Sequence, residues 1–592
     1  MSRRLGKILL PLLAFLGVEA WLLIFNYWGH NIHPLLLGGG ILIASIPLVN
    51  RLAWLVLGRL RRPRALTKAA TFLLISIASY AVMYFYAITC GRDLFPIMHD
   101  EFQFLVQARM LASGHLWMPG HPLPDFFDTF YVLIQPKYAA QSFPGTALLY
   151  VPCIWLHLAP WKWSIGIAAV SVGMIYLMTT NLIDGLAGLL AAGMLSVLSL
   201  LRYISTMVLA QGPALLLGMT TIWAYMQWRK RRSVAWAAAV GLVGGWMMVT
   251  RPADGLVFAL PIAIDLFIEL TRKKQPALLT AVAMMTLAAL PWMGMQLVFN
   301  HGVTGEWLTT PFAYYNHRDQ PALVYGFHIP QNAPPPMTNV PEKRDYYESG
   351  VMWRLKEHTP GQLLHSFVAE RGWITLKNAM PQPMLIAFIP VGLLAWFRRR
   401  AWIAAAGLPL FFLLYTPYPI FTNHYTIIAA PAVIVGVLLG VEAICTVWPA
   451  TRRAAWLAAA IFVAGVMMTP IEDYPMVGWM RVHNTVLKMA DHDEATLSAA
   501  GKPAVLLFTR DPKLSPETEP VYNLSTAWID DAMVIRAHDR GRENLLIYQY
   551  YSTHGPDREF YRFDEARPDA PPEYLGMASH LATQSASHTN SN

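Results

Sequence analysis

Apolar runs long enough to be membrane helices recur from the N-terminus to about residue 470, separated by short Arg and Lys clusters or by polar loops rich in Pro and aromatics. A run of about 20 apolar residues crosses the roughly 30 Å hydrocarbon layer as a helix. The first, at residues 5–28, follows Ser2-Arg3-Arg4; it lacks a small-residue cleavage site and reads as a retained helix. The second, at 35–57, ends at Arg59, Arg61, Arg62, Arg64 and Lys68, and a third, at 69–90, leads away from them. Basic clusters mark the cytoplasmic face. On that rule the loop 91–141 faces the other side.

The same alternation holds further on. Arg229-Lys230-Arg231-Arg232 marks the inside, residues 234–249 lead out to Thr250-Arg251-Pro252, and 255–270 return to Arg272-Lys273-Lys274. Residues 277–299 go out to a long loop at 301–381, and a return helix ends at Arg398-Arg399-Arg400. The next exits at Tyr418-Pro419, placing Thr422-Asn423-His424-Tyr425 outside; another returns to Arg452-Arg453, and 454–469 leave the remainder outside. Between residues 144 and 228 there are four apolar segments (144–160, 162–182, 185–201 and 205–228), an even number that would put the Arg229 cluster on the wrong side. One of them must be re-entrant, or two must be half-helices. The expectation is an all-α polytopic membrane protein with about 13 transmembrane helices.

Composition removes the soluble alternative: 592 residues are 55% hydrophobic and 14% charged, with a mean hydropathy of +0.37. The net charge of +9 sits in the short inter-helix clusters, which accounts for it without nucleic acid. Cys90, Cys153 and Cys445 lack CxxC spacing and suggest neither zinc nor a disulfide framework.

The chain divides at about residue 479. Residues 1–479 form the membrane domain, with external loops 91–141 and 301–381. Residues 480–575 read as a small soluble α/β domain, with helices at 482–499 and 543–550 and strands at 504–508, 533–537 and 560–563. The tail, 576–592, has no periodicity and reads as disordered.

Candidate chemistry begins at His99-Asp100-Glu101. Phe102, Leu105, Val106 and Met110 recur at helical spacing, so an amphipathic helix on the outer surface is expected, with Asp100 near its N-terminus. Two readings of the carboxylate pair stand side by side: helix capping, which needs no chemistry, and a reaction site at the membrane face. By the same sidedness Arg251, His424 and Tyr425 share this face, although snorkelling and an aromatic belt account for such residues equally well.

The Asp100-Glu101 pair after an outward helix, Phe102, then Ala108-Arg109, resembles the first external loop of GT-C glycosyltransferases, close in pattern to protein mannosyltransferases and to aminoarabinose and Rgt-like transferases. The block Lys137-Tyr138 through Gln141-Ser142-Phe143-Pro144-Gly145-Thr146, then Thr250-Arg251-Pro252 and His424-Tyr425 before Pro431, extends the resemblance loosely over two-thirds of the chain. The resemblance implies sugar transfer from a polyprenyl-phosphate donor to an envelope acceptor (lipid, glycan or protein), with periplasmic chemistry in a bacterial cytoplasmic (inner) membrane. It implies Asp100 as general base, Glu101 as its support or as a divalent-metal contact, and Lys137, Arg251, His424 and Tyr425 on the donor phosphate. No clear third metal ligand accompanies the pair, so a metal stays open. The chain departs from the pattern at Gln211, where an acidic residue is often found, and in having two helices before the one that leads into the Asp-Glu loop. The soluble domain resembles appendages of some bacterial GT-C proteins through 520–523 and 534–539, and implies no activity. A transporter or lipid flippase is the rival reading; it predicts charged residues lining a path within helices, whereas Asp184, Asp254, Asp265, Glu269 and Glu442 fall mostly near helix ends. A non-catalytic envelope scaffold is the third.

Overall fold

The computed structural model describes residues 33–89, 94–273, 276–327, 334–396, 401–468 and 485–589. The expected first helix, Cys90, the Arg398-Arg399-Arg400 cluster and most of the segment joining the two domains lie outside the described residues.

Five described helices are long and apolar enough to cross a bilayer: Ala65–Thr89, Pro160–Leu182, Pro276–Thr304, Asn423–Val447 and Pro449–Met468. Two pairs pass the same test only across a sharp bend, Leu36–Ser45 with Pro47–Leu60 at 97° and Pro360–Ala379 with Pro383–Ala395 at 103°. Pro47 and Pro383 open the second member of each pair, where a missing N–H is harmless and the ring ends the preceding helix. On length and apolarity the described residues therefore hold five candidate spans, or up to seven counting each bent pair, against the expected total of about 13 for the whole chain. Part of the shortfall is length, since Gly145–Trp155, Gly185–Ser196, Val234–Met248 and Trp402–Tyr415 are apolar but only 10–17 residues long.

Ion pairs show which helix ends share a face. Arg61 Nε lies 2.5 Å from Asp184, Arg229 pairs with Asp265 at 3.0 Å and also with Glu269, and Arg232 reaches Glu269 at 2.7 Å. Lys68, Thr180, Asn181 and Arg229 line one cavity. This is the basic end. At the opposite end the Val208 N–H donates to Glu101 at 2.9 Å, and the Gly145 N–H donates to the Val249 carbonyl at 2.7 Å, beside Arg251. Trp155 Nε1 donates to the Ala112 carbonyl at 3.0 Å, so both ends of Gly145–Trp155 lie at this second end. Its 11 residues rise roughly 17 Å, too little to cross.

The C-terminal domain is a four-stranded sheet in the order β5-β4-β6-β7: β4 (Ala504–Thr509) is parallel to β5 (Val534–His538) and β6 (Glu559–Asp564), and β7 (Glu573–Met577) runs antiparallel to β6. Alternation decides the packing. Ala504, Leu506 and Phe508 face Val486 and Ala490 of the helix Thr485–Ala499, while Val505 and Leu507 face the opposite core. The tail differs from expectation: β7 runs to Met577, and a helix follows at Ala578–Thr589 with Ala578 fully buried and Leu581 against the core. Tertiary packing supplies what weak local propensity does not.

The helix His99–Ala112 also departs from its expected place. Phe102, Val106 and Met110 pack into the core of the C-terminal domain, and Phe104, Leu105 and Ala108 pack against Ala147, Tyr150, Ile167 and Val208 of the membrane domain. It is sandwiched between the domains instead of lying on a surface. The loop 301–381 is likewise pinned. Lys343 is buried between Asp128 at 2.9 Å and Asp319 at 2.5 Å, with Arg318 bidentate on Asp319.

Buried carboxyls line the contact between this loop and the C-terminal domain. Burial, reinforced by Glu519, pushes Glu565 up to about 8 from an ordinary 4.5. A carboxyl raised on folding stabilises below its unfolded value, and that contribution is lost as pH rises towards 8, at about 1.4 kcal/mol per unit. Glu565→Gln is therefore expected to raise the unfolding midpoint of the full chain by a few degrees at about pH 8.5 and to leave it unchanged near pH 5, as read by scanning fluorimetry.

Candidate active site

The helix His99–Ala112 starts from Met98 in an extended conformation, with no side chain from that residue capping it. Glu101 does the work of a cap. Its Oε2 accepts the N–H groups of Ile97 (2.9 Å) and Met98 (3.3 Å), and its Oε1 accepts that of Val208 (2.9 Å). Both oxygens of this buried carboxylate are thereby committed to backbone, tying the helix start to the membrane domain. Of the two readings that the sequence leaves open for the pair, capping falls to Glu101.

Asp100 turns the other way. Gln103 Nε2 donates to its Oδ1 at 2.9 Å, one helical turn on. Burial raises the Asp100 carboxyl above the usual carboxylate range, and the Arg251 guanidinium and the Gln103 hydrogen bond pull it partly back. A carboxyl in this setting titrates closer to neutrality than a free Asp.

Arg251 stands at the turn between Val234–Met248 and Pro252–Lys273. That turn is held close to Gly145, where a Cβ would lie 2.5 Å from the Val249 carbonyl oxygen, so glycine is required there. Arg251 Nε donates to Asp254 Oδ2 at 2.5 Å and Nη2 to the Tyr415 hydroxyl at 3.0 Å; that hydroxyl in turn donates to Asp254 Oδ1. The triangle fixes the guanidinium, and Nη1 has no hydrogen-bond partner among the described residues. Its Cζ lies 4.7 Å from the Tyr425 ring centroid. His424 packs edge-on against Tyr425 at 4.8 Å with Nε2 3.2 Å from Thr422 Oγ1.

Four phenols lie within the electrostatic reach of Asp100: Tyr131, Tyr418, Tyr425 and Tyr522, with Tyr346 next to the first three. They come from four separate parts of the chain. Tyr131, at φ 62°, belongs to the loop 91–141; Tyr346 opens a π-helical turn of the loop 301–381; Tyr522 arrives from the C-terminal domain. A non-glycine residue in the left-handed region and a π turn are both features that gather at functional sites. Tyr522 also bonds His99 Nδ1 at 2.8 Å, and the imidazole stacks on Phe130 at 4.0 Å. Burial lowers His99 to about 3, keeping it neutral.

The structure thus brings Asp100, Arg251, His424 and Tyr425 together. Lys137 is not part of this group: it is half-buried on β3 (Lys137–Ala140), across from Pro119, and makes no ion pair among the described residues. Among the described residues no three His, Cys, Asp or Glu side chains converge to hold a metal ion. Gln211 is buried at the start of the helix Gln211–Arg231, and its Oε1 has no hydrogen-bond partner among the described residues. Sequence reasoning missed Gln103, Asp254, Tyr415 and most of the tyrosines. The spacings Asp100/Gln103 and Arg251/Asp254, three residues apart on a helix, are signals that it could have used.

No family model matches the chain, and no curated protein does. Among solved structures it is similar to ArnT from Cupriavidus metallidurans in the apo state, at 10% identity over 87% of this chain and 98% of that one, with a TM-score of 0.49. It is similar to the same protein bound to undecaprenyl phosphate, at 12% identity over 85% and 94%, TM-score 0.46. The oligosaccharyltransferase of Archaeoglobus fulgidus, in complex with Zn and sulfate, is matched at 10% identity over 74% and 60%, TM-score 0.41. At these values the similarity is one of chain course, and what the site can do is read from its own side chains.

Proposed function

We propose that the chain is an inverting glycosyltransferase that moves a sugar from a polyprenyl-phosphate donor to a hydroxyl of an envelope acceptor. The observation that carries this reading is the opposition of two unlike groups: a half-buried carboxylate of raised pKa, held by Gln103, and a guanidinium locked by Asp254 and Tyr415 with one nitrogen left open. The acceptor hydroxyl oxygen bonds to the anomeric carbon as the bond from that carbon to the phosphate oxygen breaks. Asp100 takes the hydroxyl proton, and the departing phosphate keeps the electron pair, its charge met by Arg251 Nη1. His424 and Tyr425 flank that phosphate, and Glu101 supports the base by fixing the helix that carries it. Lys137 lies outside this core and would meet the donor further along its path. The order of motifs along the sequence supports the same chemistry, and the positive-inside rule puts the site end in the periplasm.

Pairing of charges argues against the rival transporter. Asp184, Asp254, Asp265, Glu269 and Glu442 each pair with an arginine near a helix end, which is how structural carboxylates are neutralised. Proteoliposomes separate the two readings. A transferase releases polyprenyl phosphate and yields a product of opposite anomeric configuration; a flippase moves the donor across the bilayer unaltered.

The pH dependence follows from the direction of the Asp100 shift. As a base it works only when ionised, so kcat/KM is expected to rise with pH through a limb above the roughly 3.9 of an ordinary Asp. Gln103→Leu removes a bond that favours the ionised form and should move that limb to higher pH. A limb that stays in place would show that Asp100 is not the titrating base.

A further inference from the structure

At the basic end of the helices, opposite the site described above, a cavity of about 460 Å³ opens between the ends of Ala65–Thr89, Pro160–Leu182 and Gln211–Arg231. Lys68, Asn181, Arg229 and Lys230 give it polar walls, and Met226 and Ile403 an apolar one.

The three cations are not equivalent. Arg229 is neutralised where it stands, by Asp265 at 3.0 Å and by Glu269. Lys68 and Lys230 form no ion pair among the described residues, yet they lie within electrostatic reach of each other. No carboxylate lines the cavity among the described residues. Lys68 is half-buried and Lys230 exposed, so neither charge is sealed away from a ligand. Two like charges gathered at one cavity without a counter-ion repel, and an anion placed between them turns that repulsion into attraction. Asn181 is partly exposed beside them, with an amide able to donate to an oxygen of the same anion.

The surroundings decide what carries the anion. Lys68 lies in the first turn of Ala65–Thr89, a helix that exposes Leu66, Leu73, Leu74 and Ile77. Such a face is suited to hydrocarbon, so the cavity opens at headgroup depth beside acyl chains, and basic clefts between helix ends at this depth suit anionic lipid headgroups. We infer that this cavity binds the phosphate headgroup of an anionic phospholipid, with Lys68 and Lys230 on its oxygens. The inference is independent of the proposed transfer.

The test uses the full chain without any sugar donor, so it reads this site whatever becomes of the transfer reading. Native mass spectrometry in a neutral detergent, titrating phosphatidylglycerol or phosphatidylcholine, gives the dissociation constant of the first bound lipid. Inorganic phosphate is followed at matched concentrations by its effect on the unfolding midpoint. Phosphatidylglycerol should bind saturably and raise the midpoint, phosphatidylcholine should bind more weakly, and inorganic phosphate should leave the midpoint unchanged. Lys68→Gln combined with Lys230→Gln should weaken phosphatidylglycerol binding roughly 25-fold, about fivefold for each lysine. It should not lower the midpoint in the absence of lipid, because neither lysine holds a carboxylate. Arg62→Gln combined with Arg453→Gln removes the same charge from exposed positions outside the cavity and should change binding little. Equal binding of the two lipids, an equal loss in the two double variants, or a response to inorganic phosphate as large as that to phosphatidylglycerol would overturn the inference.

Discussion

Asp100→Asn is expected to lower sugar transfer by a factor on the order of 10²–10⁴, the usual contribution of a positioned general base. The substitution keeps shape and volume and removes only the ability to take a proton. It should leave the fold intact, because the helix start is held by Glu101 on the N–H groups of Ile97, Met98 and Val208, and Asp100 has no share in those bonds. Glu101→Gln makes the opposite prediction. An amide can accept at only one of its two ends, so at least one buried N–H loses its partner, at a cost of about 1–3 kcal/mol in stability. Comparing kcat and unfolding midpoints of the two variants separates chemistry from capping. If Asp100→Asn were fully active, the base would have to be sought elsewhere.

The second large effect is expected at Arg251. Arg251→Lys keeps the charge but cannot hold Asp254 and Tyr415 and still present a nitrogen to the phosphate, so kcat should fall about 10²–10³-fold with a smaller change in KM. Arg251→Ala is a poorer probe. It strands Asp254, which is 0% exposed, and breaking such a pair costs roughly 3–5 kcal/mol in its own right. Tyr415→Phe removes one anchor and should cost about tenfold in kcat, because the guanidinium keeps Asp254. An Arg251→Lys enzyme with altered KM alone would make Arg251 a binding residue and not one that meets developing charge.

Hydrophobic and basic patterning anticipated that Asp100, Arg251, His424 and Tyr425 share one end of the helices, because the bilayer permits few backbone solutions and each marker constrains the next. It did not carry the closure of the site. Tyr522 joins His99 across 423 positions and Tyr415 joins Arg251 across 164, separations at which no local periodicity operates. The spacing of Phe102, Val106 and Met110 showed a helix with an apolar face but not its partner, which is a protein domain and not lipid. Segment lengths were least legible where apolar stretches are broken: Gly145–Trp155 contains Pro152 and ends before His157 at φ 52°, so a segment that reads as continuous hydrophobicity is only about three helical turns long. The carboxylate pair was ambiguous for a related reason. Neighbours on a helix point about 100° apart, and only the surrounding fold decides which of them faces the backbone and which the cavity.

The most direct test of the central claim is donor consumption. Purified wild type in nanodiscs is incubated with synthetic polyprenyl-phosphate sugars and a membrane extract as acceptor, and release of polyprenyl phosphate is followed alongside Asp100→Asn. The account predicts that one donor is consumed by the wild type and not by the variant. Consumption of none across a broad panel, or equal consumption by both proteins, would contradict it.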